Sequence, residues 1–213
     1  MYIGDWSSDV CSSDLFCMRK EFGSNPWFYP LPVLIIGTYD ENGKPDAMNA
    51  AWGGLYDTNL VELCLSAGHK TTKNILQKRA FTVSFADAEN VAACDYVGIV
   101  SGNNTSDKME KSGLTAEKSA VVDAPLFTQL PLTLECKYVH STEEGNIIGE
   151  IVNISADERI LGADGKIDMT KFRPISYEPV HNGYHVLGER VGTAFSDGRS
   201  EERRVGKECR SRW

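Results

Sequence analysis

The segment Leu65-Ser66-Ala67-Gly68-His69-Lys70-Thr71-Thr72-Lys73-Asn74 gathers three hydroxyls, an imidazole and two ammonium groups within ten residues. A strand pattern ends at its start, Gly68 lets the backbone turn, and a helix Lys73 to Arg79 opens among the hydroxyls. Helix N-termini present backbone N–H groups without intrahelical partners at the positive end of the dipole, so a junction of this kind suits an anion, phosphate first. Thr71 and Thr72 are also ordinary capping types, which leaves open a plain capped helix with His69 and Lys70 in solvent.

A second segment, Met48-Asn49-Ala50-Ala51-Trp52-Gly53-Gly54, combines small side chains with a Gly pair. Such backbone can be approached closely by a flat ligand, with Asn49 as a polar edge and Trp52 as an aromatic one. The alternative is a strand that packs Trp52 in the core and ends in a glycine turn. Other chemistries find less support. There is no G-x-S-x-G and no G-x-G-x-x-G, and His69, His140, His181 and His185 lack metal-ligand spacing beyond a weak His181/His185 pair. Cys64, Cys94 and Cys136 form no C-x-x-C, and the strand positions of Cys64 and Cys136 read as buried structural thiols.

The elements that must position these segments are mostly strands. Val33 to Tyr39 is β-branched and apolar, Asn42-Gly43 supplies a turn, and Asp46 to Trp52 returns as the second arm of a hairpin. Leu60 to Ser66 alternates, with Val61, Leu63 and Leu65 on the core face. Phe81 to Phe85 is a further strand, and Asn90 to Val100 has helical spacing and ends at Ser101-Gly102. A polar, loop-rich stretch runs to Ser119. Strands follow at Leu132 to Val139, Ile147 to Ile154, Ile175 to Glu178 and Tyr184 to Leu187. Six or more antiparallel strands with two short helices and no internal repeat indicate one mainly β domain, a barrel or sandwich.

Composition sets the remaining bounds. The chain has 213 residues, 41% apolar and 24% charged, with a net charge of −8. That charge opposes nucleic acid, and no run approaches the roughly 20 apolar residues of a membrane span. Unpaired, widely spaced Cys and the lack of a signal-peptide pattern suggest the cytoplasm. The ends differ from the middle: residues 1–17 show no periodicity, and residues 199–213 hold six Arg/Lys and three Glu. Both resemble translated sequencing-adapter DNA, the second codon by codon from Arg199 to Trp213. The expected domain therefore spans 18–198, with a non-native, disordered leader and a non-native tail; its net charge is still −8, because each sign loses six residues.

Taken in order, these motifs resemble the flavin reductase-like FMN-binding split-barrel family, and the flavoredoxin group within it. The matching runs include Tyr29-Pro30-Leu31-Pro32-Val33, Asn49-Ala50-Ala51-Trp52-Gly53, Ser66 through Asn74, Asp95 through Gly102, Pro131 through Cys136, Ile148 through Val152 and Tyr184 through Glu189. The resemblance implies a homodimer of antiparallel Greek-key split β-barrels, each subunit holding one FMN near the interface. It makes Ser66, His69, Lys70, Thr71 and Thr72 a cradle for the FMN phosphate and ribityl chain. Asn49, Ala50, Ala51 and Trp52 become the edge that meets the isoalloxazine, and Ser101 and Gly102 a loop over the flavin. The implied activity is hydride or electron transfer through FMN with NADH or NADPH as transient donor, needing no dedicated catalytic side chain. A flavoredoxin-type electron carrier served by a redox partner protein, without nicotinamide oxidation, is the alternative, and a flavin or haem store or sensor is a third.

Overall fold

The computed structural model describes residues 19–199. The expected leader and nearly all of the expected tail lie outside them. The strands are β1 (Leu31–Pro32), β2 (Leu34–Tyr39), β3 (Pro45–Ala50), β4 (Gly53–Asp57), β5 (Leu60–Leu63), β6 (Ala80–Phe85), β7 (Ala116–Lys118), β8 (Pro125–Phe127), β9 (Leu132–Ser141), β10 (Ile147–Ala156), β11 (Ile175–Glu178) and β12 (Gly183–Val186). Three α-helices, α1 (Lys70–Lys78), α2 (Val91–Ile99) and α3 (Lys108–Ser112), are joined by a 3-10 turn at Glu158–Ile160. The architecture is mainly antiparallel β, as the sequence patterns imply.

Seven strands form one sheet in the order β3-β2-β6-β9-β10-β5-β4. Laid flat, its edges would stand roughly 29 Å apart at the usual strand spacing. Yet β3 ends at Ala50 and β4 begins at Gly53, three Cα steps away, a span of at most roughly 11 Å. The sheet must therefore curl into a barrel left open along one seam. Bridging residue Trp52 accepts at its carbonyl from Cys64 N–H at 2.9 Å.

The inner face of this sheet is filled, and the outer face of β2 and β3 is covered as well. Inside the barrel lie Leu34, Ile36, Ala50, Val61, Leu63, Phe81, Val83, Cys136 and Ile147, closed at one end by Ile75 of α1. Outside, Val33, Ile35 and Ala47 pack under Cys94 and Val97 of α2 and Met109 of α3. This explains why β2 reads as an unbroken apolar run: its odd and even residues serve different cores. β11 pairs with β1 and β12 in a small second sheet, and β7 pairs with β8.

Several local expectations shift. The helix α1 begins at Lys70, not Lys73, and its N-cap is His69, which makes no side-chain capping bond. The stretch expected to be loop contains α3 and β7, each too short to show a period. Cys64 is exposed, not a buried thiol, and Trp52 is exposed too, which removes the alternative that packed it in the core.

Candidate functional site

Helix α1 lies across the end of the β2–β3 hairpin. Thr38 of β2 and Asp46 of β3 are cross-strand partners on the face that looks toward α1. Both are buried, and α1 supplies their hydrogen bonds: Thr71 Oγ1 donates to Asp46 Oδ2 at 3.0 Å, and Asn74 Nδ2 donates to Thr38 Oγ1 at 3.0 Å. One turn earlier, Lys70 Nζ lies 3.1 Å from Asp40 Oδ2. The hydroxyl that resembles a helix cap is thus spent on a tertiary contact, and the first-turn N–H groups have no capping side chain.

The loop after α2 folds over this helix start. Asn103 Nδ2 donates to Gly68 O at 3.0 Å, tying the loop to the turn before α1. From α3, Lys108 reaches inward; it is 4% exposed, donates to Ala47 O at 2.6 Å and stands 3.9 Å from Asp46 Oδ1. Burial pushes its ammonium pKa down, Asp46 opposes this, and nearby Lys70 adds to it. Gly102 makes the approach possible, since a Cβ there would collide with Asp46 Oδ1 and sit 3.1 Å from Lys70 Cδ.

These contacts frame a cleft of about 220 Å³ lined by Asp46, His69, Lys70, Thr71, Ser101, Gly102 and Lys108, with Val97 to Val100 as its apolar wall. A second cavity of about 390 Å³ shares Gly98 and Ile99 with it and is lined by Asn49, Ala51, Asp95, Tyr177, Asn182 and Tyr184. Asn49 Nδ2 donates to Cys94 O at 3.0 Å, and a Cβ on Gly98 would lie 2.9 Å from Asn49 Cβ, so glycine lets helix and strand meet. Tyr184 Oη donates to Asp95 Oδ1 at 2.7 Å. Burial and that carboxylate push the Tyr184 phenol up to about 12, so it remains a neutral donor at physiological pH.

Of the residues singled out in sequence, His69, Lys70, Thr71, Ser101 and Gly102 meet in the first cleft, and Asn49 and Ala51 in the second. Ala50 points into the barrel core, and Thr72 is buried with its hydroxyl donating to Ser66 O at 2.8 Å. Ser66 lies on the exposed turn, where its Oγ accepts from Gly68 N–H. Trp52 lines a different, largely apolar hollow with Phe28, Leu55 and Cys64. Sequence reasoning missed Asp46 and Lys108, an acid in a strand and a lysine in a polar stretch. The signal for Asp46 was its position two residues from Met48 and four from Ala50, on the core-facing side of the strand. Among the described residues, no group of three or more His, Cys, Asp or Glu could hold a metal, and no helix is long and apolar enough to cross a membrane.

A curled antiparallel sheet with short helices packed on β2 and β3, and two cavities beside them that share Gly98 and Ile99, defines a split-barrel protein. The chain belongs to the family of flavin reductase like domains, which matches residues 27–178. Among solved structures it is similar to a flavoredoxin of Desulfovibrio vulgaris (Miyazaki F), with TM-score 0.82 and 36% identity over 85% of this chain and 100% of that one. A flavoredoxin from Methanosarcina acetivorans has TM-score 0.77 and 29% identity over 86% of this chain and 100% of that one. Nitrilotriacetate monooxygenase component B from Bacillus cereus shares the fold at TM-score 0.68 and 20% identity, covering 83% and 100% of the two chains. A curated Aquifex aeolicus protein described as uncharacterized is 30% identical over 68% of this chain and 79% of its own length.

Proposed function

We propose that the protein is an FMN-binding oxidoreductase that takes hydride from NADH or NADPH and passes electrons to an acceptor. The observation that carries this reading is the cleft at the start of α1, where His69, Lys70 and uncapped helix N–H groups converge with the Ser101-Gly102 loop. The donor set suits a phosphate: a helix N-terminus, an ammonium and the Ser101 hydroxyl. The adjoining cavity suits a flat, partly polar ring, with apolar and aromatic walls and the amide of Asn49. Their volumes of about 220 and 390 Å³ fall together within the roughly 300–1,000 Å³ of small-ligand sites.

In this reading His69, Lys70 and the first turn of α1 hold the phosphate, and Gly102 lets the loop close beside it. Asn49 and Ala51 border the ring, while the neutral Tyr184 hydroxyl, fixed on Asp95, keeps one wall rigid and protonated. Bound FMN supplies the reversible two-electron or one-electron chemistry. The chain's own task is to bind, orient and exclude water.

A second reading, an electron carrier reduced by a partner protein, is favoured by the 36% identity to a flavoredoxin over that protein's full length. Anaerobic stopped-flow on FMN-loaded protein separates the two. Bleaching of the flavin band by NADPH or NADH supports the oxidoreductase; no bleaching, with reduction by a ferredoxin-like donor, overturns it in favour of the carrier. Protein that neither purifies yellow nor binds added FMN overturns both.

The working unit we propose is a homodimer. Leu55, Trp52 and Phe28 line an exposed, largely apolar hollow beside β4, which ends its sheet with no strand on its outer side among the described residues. An antiparallel edge can meet its own copy across a two-fold axis, which suits a second copy of this chain. Sedimentation velocity at micromolar concentration tests it, with a dimer expected. The net charge of −8 argues against nucleic acid as partner.

A further inference from the structure

Both ammonium groups that line the first cleft already have carboxylate neighbours. Lys108 faces Asp46 in a buried cluster that also takes the Thr71 hydroxyl and Ala47 carbonyl. Lys70 faces Asp40 at the rim, where the two side chains are 23% and 15% exposed. With two lysines and two aspartates, the cleft carries no net charge from these four groups, although it opens on a helix N-terminus.

The two pairs differ in what holds the acid. Asp40 Oδ1 accepts from the backbone N–H of Asn42 at 3.0 Å and of Lys44 at 2.9 Å, inside the Asn-Gly turn. Only Oδ2 faces Lys70. The turn itself is anchored, since Lys44 Nζ donates to Ser106 O. The carboxylate is therefore fixed, while Lys70 swings on a flexible four-carbon stem. An anion entering the cleft can draw Lys70 over; it cannot draw Asp40 away.

We propose that Asp40 is a specificity-determining residue of the cleft: a fixed counter-ion that holds Lys70 until a phosphomonoester dianion takes the ammonium over. This rests on the reading of the cleft as a phosphate cradle. A neutral ligand gains nothing from a lysine already paired, and a weak monoanion gains little beside a standing carboxylate. A dianion gains most, so the pair discriminates against monoanions and lowers absolute affinity for every anion, while leaving the affinity of an unphosphorylated ligand as it is.

The test is Asp40→Asn, which keeps the Oδ1 acceptor for the turn and removes the charge facing Lys70. Wild type, Asp40→Asn, Lys70→Met and the double variant are titrated with FMN, riboflavin and inorganic phosphate. Asp40→Asn is expected to bind FMN and inorganic phosphate roughly two- to fivefold more tightly, the scale of a partly exposed ion pair, with riboflavin unchanged. Lys70→Met should weaken FMN, and the gain from Asp40→Asn should shrink in its background. Asp40→Ser, which retains a turn-capping oxygen, serves if the Asn variant melts early. Unchanged or weaker binding of both anions in the folded Asp40 variants overturns the proposal. If wild type binds no FMN, the flavin reading fails separately, and the inorganic phosphate titration still decides the role of Asp40.

Discussion

The two ends of β3 meet opposite environments. At its start, Asp46 sits in a cluster where helix, hairpin and loop supply one another's hydrogen bonds; among the described residues no buried side-chain polar atom lacks a partner. Just past its end, Trp52, with Leu55 and Tyr56 of β4, lies open at 57, 75 and 53% exposure. The first region is complete within the chain, because its buried polar groups find their partners on its own elements. The second presents apolar area that the chain itself does not cover, which is how interaction surfaces differ from scattered exposed side chains. Damage to the first should be felt as lost folding, and damage to the second as lost association.

The largest effect is expected from Lys108→Met. Removing one member of a buried pair leaves Asp46 uncompensated and Ala47 O without its donor, at a cost of about 3–5 kcal/mol. Denaturant unfolding would read it; a change under about 1 kcal/mol would mean that Asp46 is solvated in the native state. Gly102→Ala comes next. Its Cβ meets Asp46 Oδ1 and Lys70 Cδ, so the loop must lift, with an expected loss of about 1–3 kcal/mol and weaker FMN retention.

How much of this was legible follows from distance along the chain. The β2–β3 hairpin was readable because its Asn-Gly turn and its pattern are local, and β5 because Val61 and Leu63 alternate with Glu62. The convergence of the Ser101-Gly102 loop on the start of α1 came from a family resemblance, not from spacing. Nothing local marks Thr71 as a partner of Asp46, 25 positions earlier, so it read as a cap. Lys108 is harder still, because its burial depends on α3 docking against β3 across 61 residues. Trp52 could be read either as an exposed edge or as core, because its neighbourhood depends on how the two residues between β3 and β4 carry the chain across the seam; it lies exposed, in a hollow apart from both cavities.

On the apolar side, Leu55→Asp places a carboxylate at the most exposed apolar position of β4. Fold stability should change by no more than about 0.5 kcal/mol, as for other surface changes. Dimer dissociation should instead strengthen at least roughly tenfold, about 1.4 kcal/mol, in sedimentation. Equal association in wild type and variant would remove β4 from the interface.

A smaller effect concerns pH at the cleft. Burial raises the Asp40 carboxyl, but the Lys44 N–H, the Lys70 ammonium and the Asn42 N–H outweigh it and hold the group below its usual range. A depressed folded-state value means that the unfolded chain takes up the proton first. The contribution is therefore complete above pH about 4 and fades as pH falls through the folded value. Asp40→Asn should therefore lower stability slightly at neutral pH and flatten the acid limb, approaching wild type at low pH, while leaving the β4 face untouched.

The smallest expected effect gives the sharpest comparison, because it samples both regions in one experiment. Cys94 and Cys136 are buried, and burial with a neighbouring carboxylate pushes each thiol up to about 12. Cys64 is exposed on the β4 side, its thiol raised by partial burial and by Glu62. The thiolate is the reactive form, so iodoacetamide should label Cys64 slowly near neutral pH and faster as pH rises. Cys94 and Cys136 should label only on unfolding. If a second copy covers the β4 face, the Cys64 rate in wild type should fall as protein concentration rises, and Leu55→Asp should abolish that dependence. Concentration-independent labelling of Cys64 in a protein that sediments as a dimer would move the interface to another face and leave the apolar patch for a different partner.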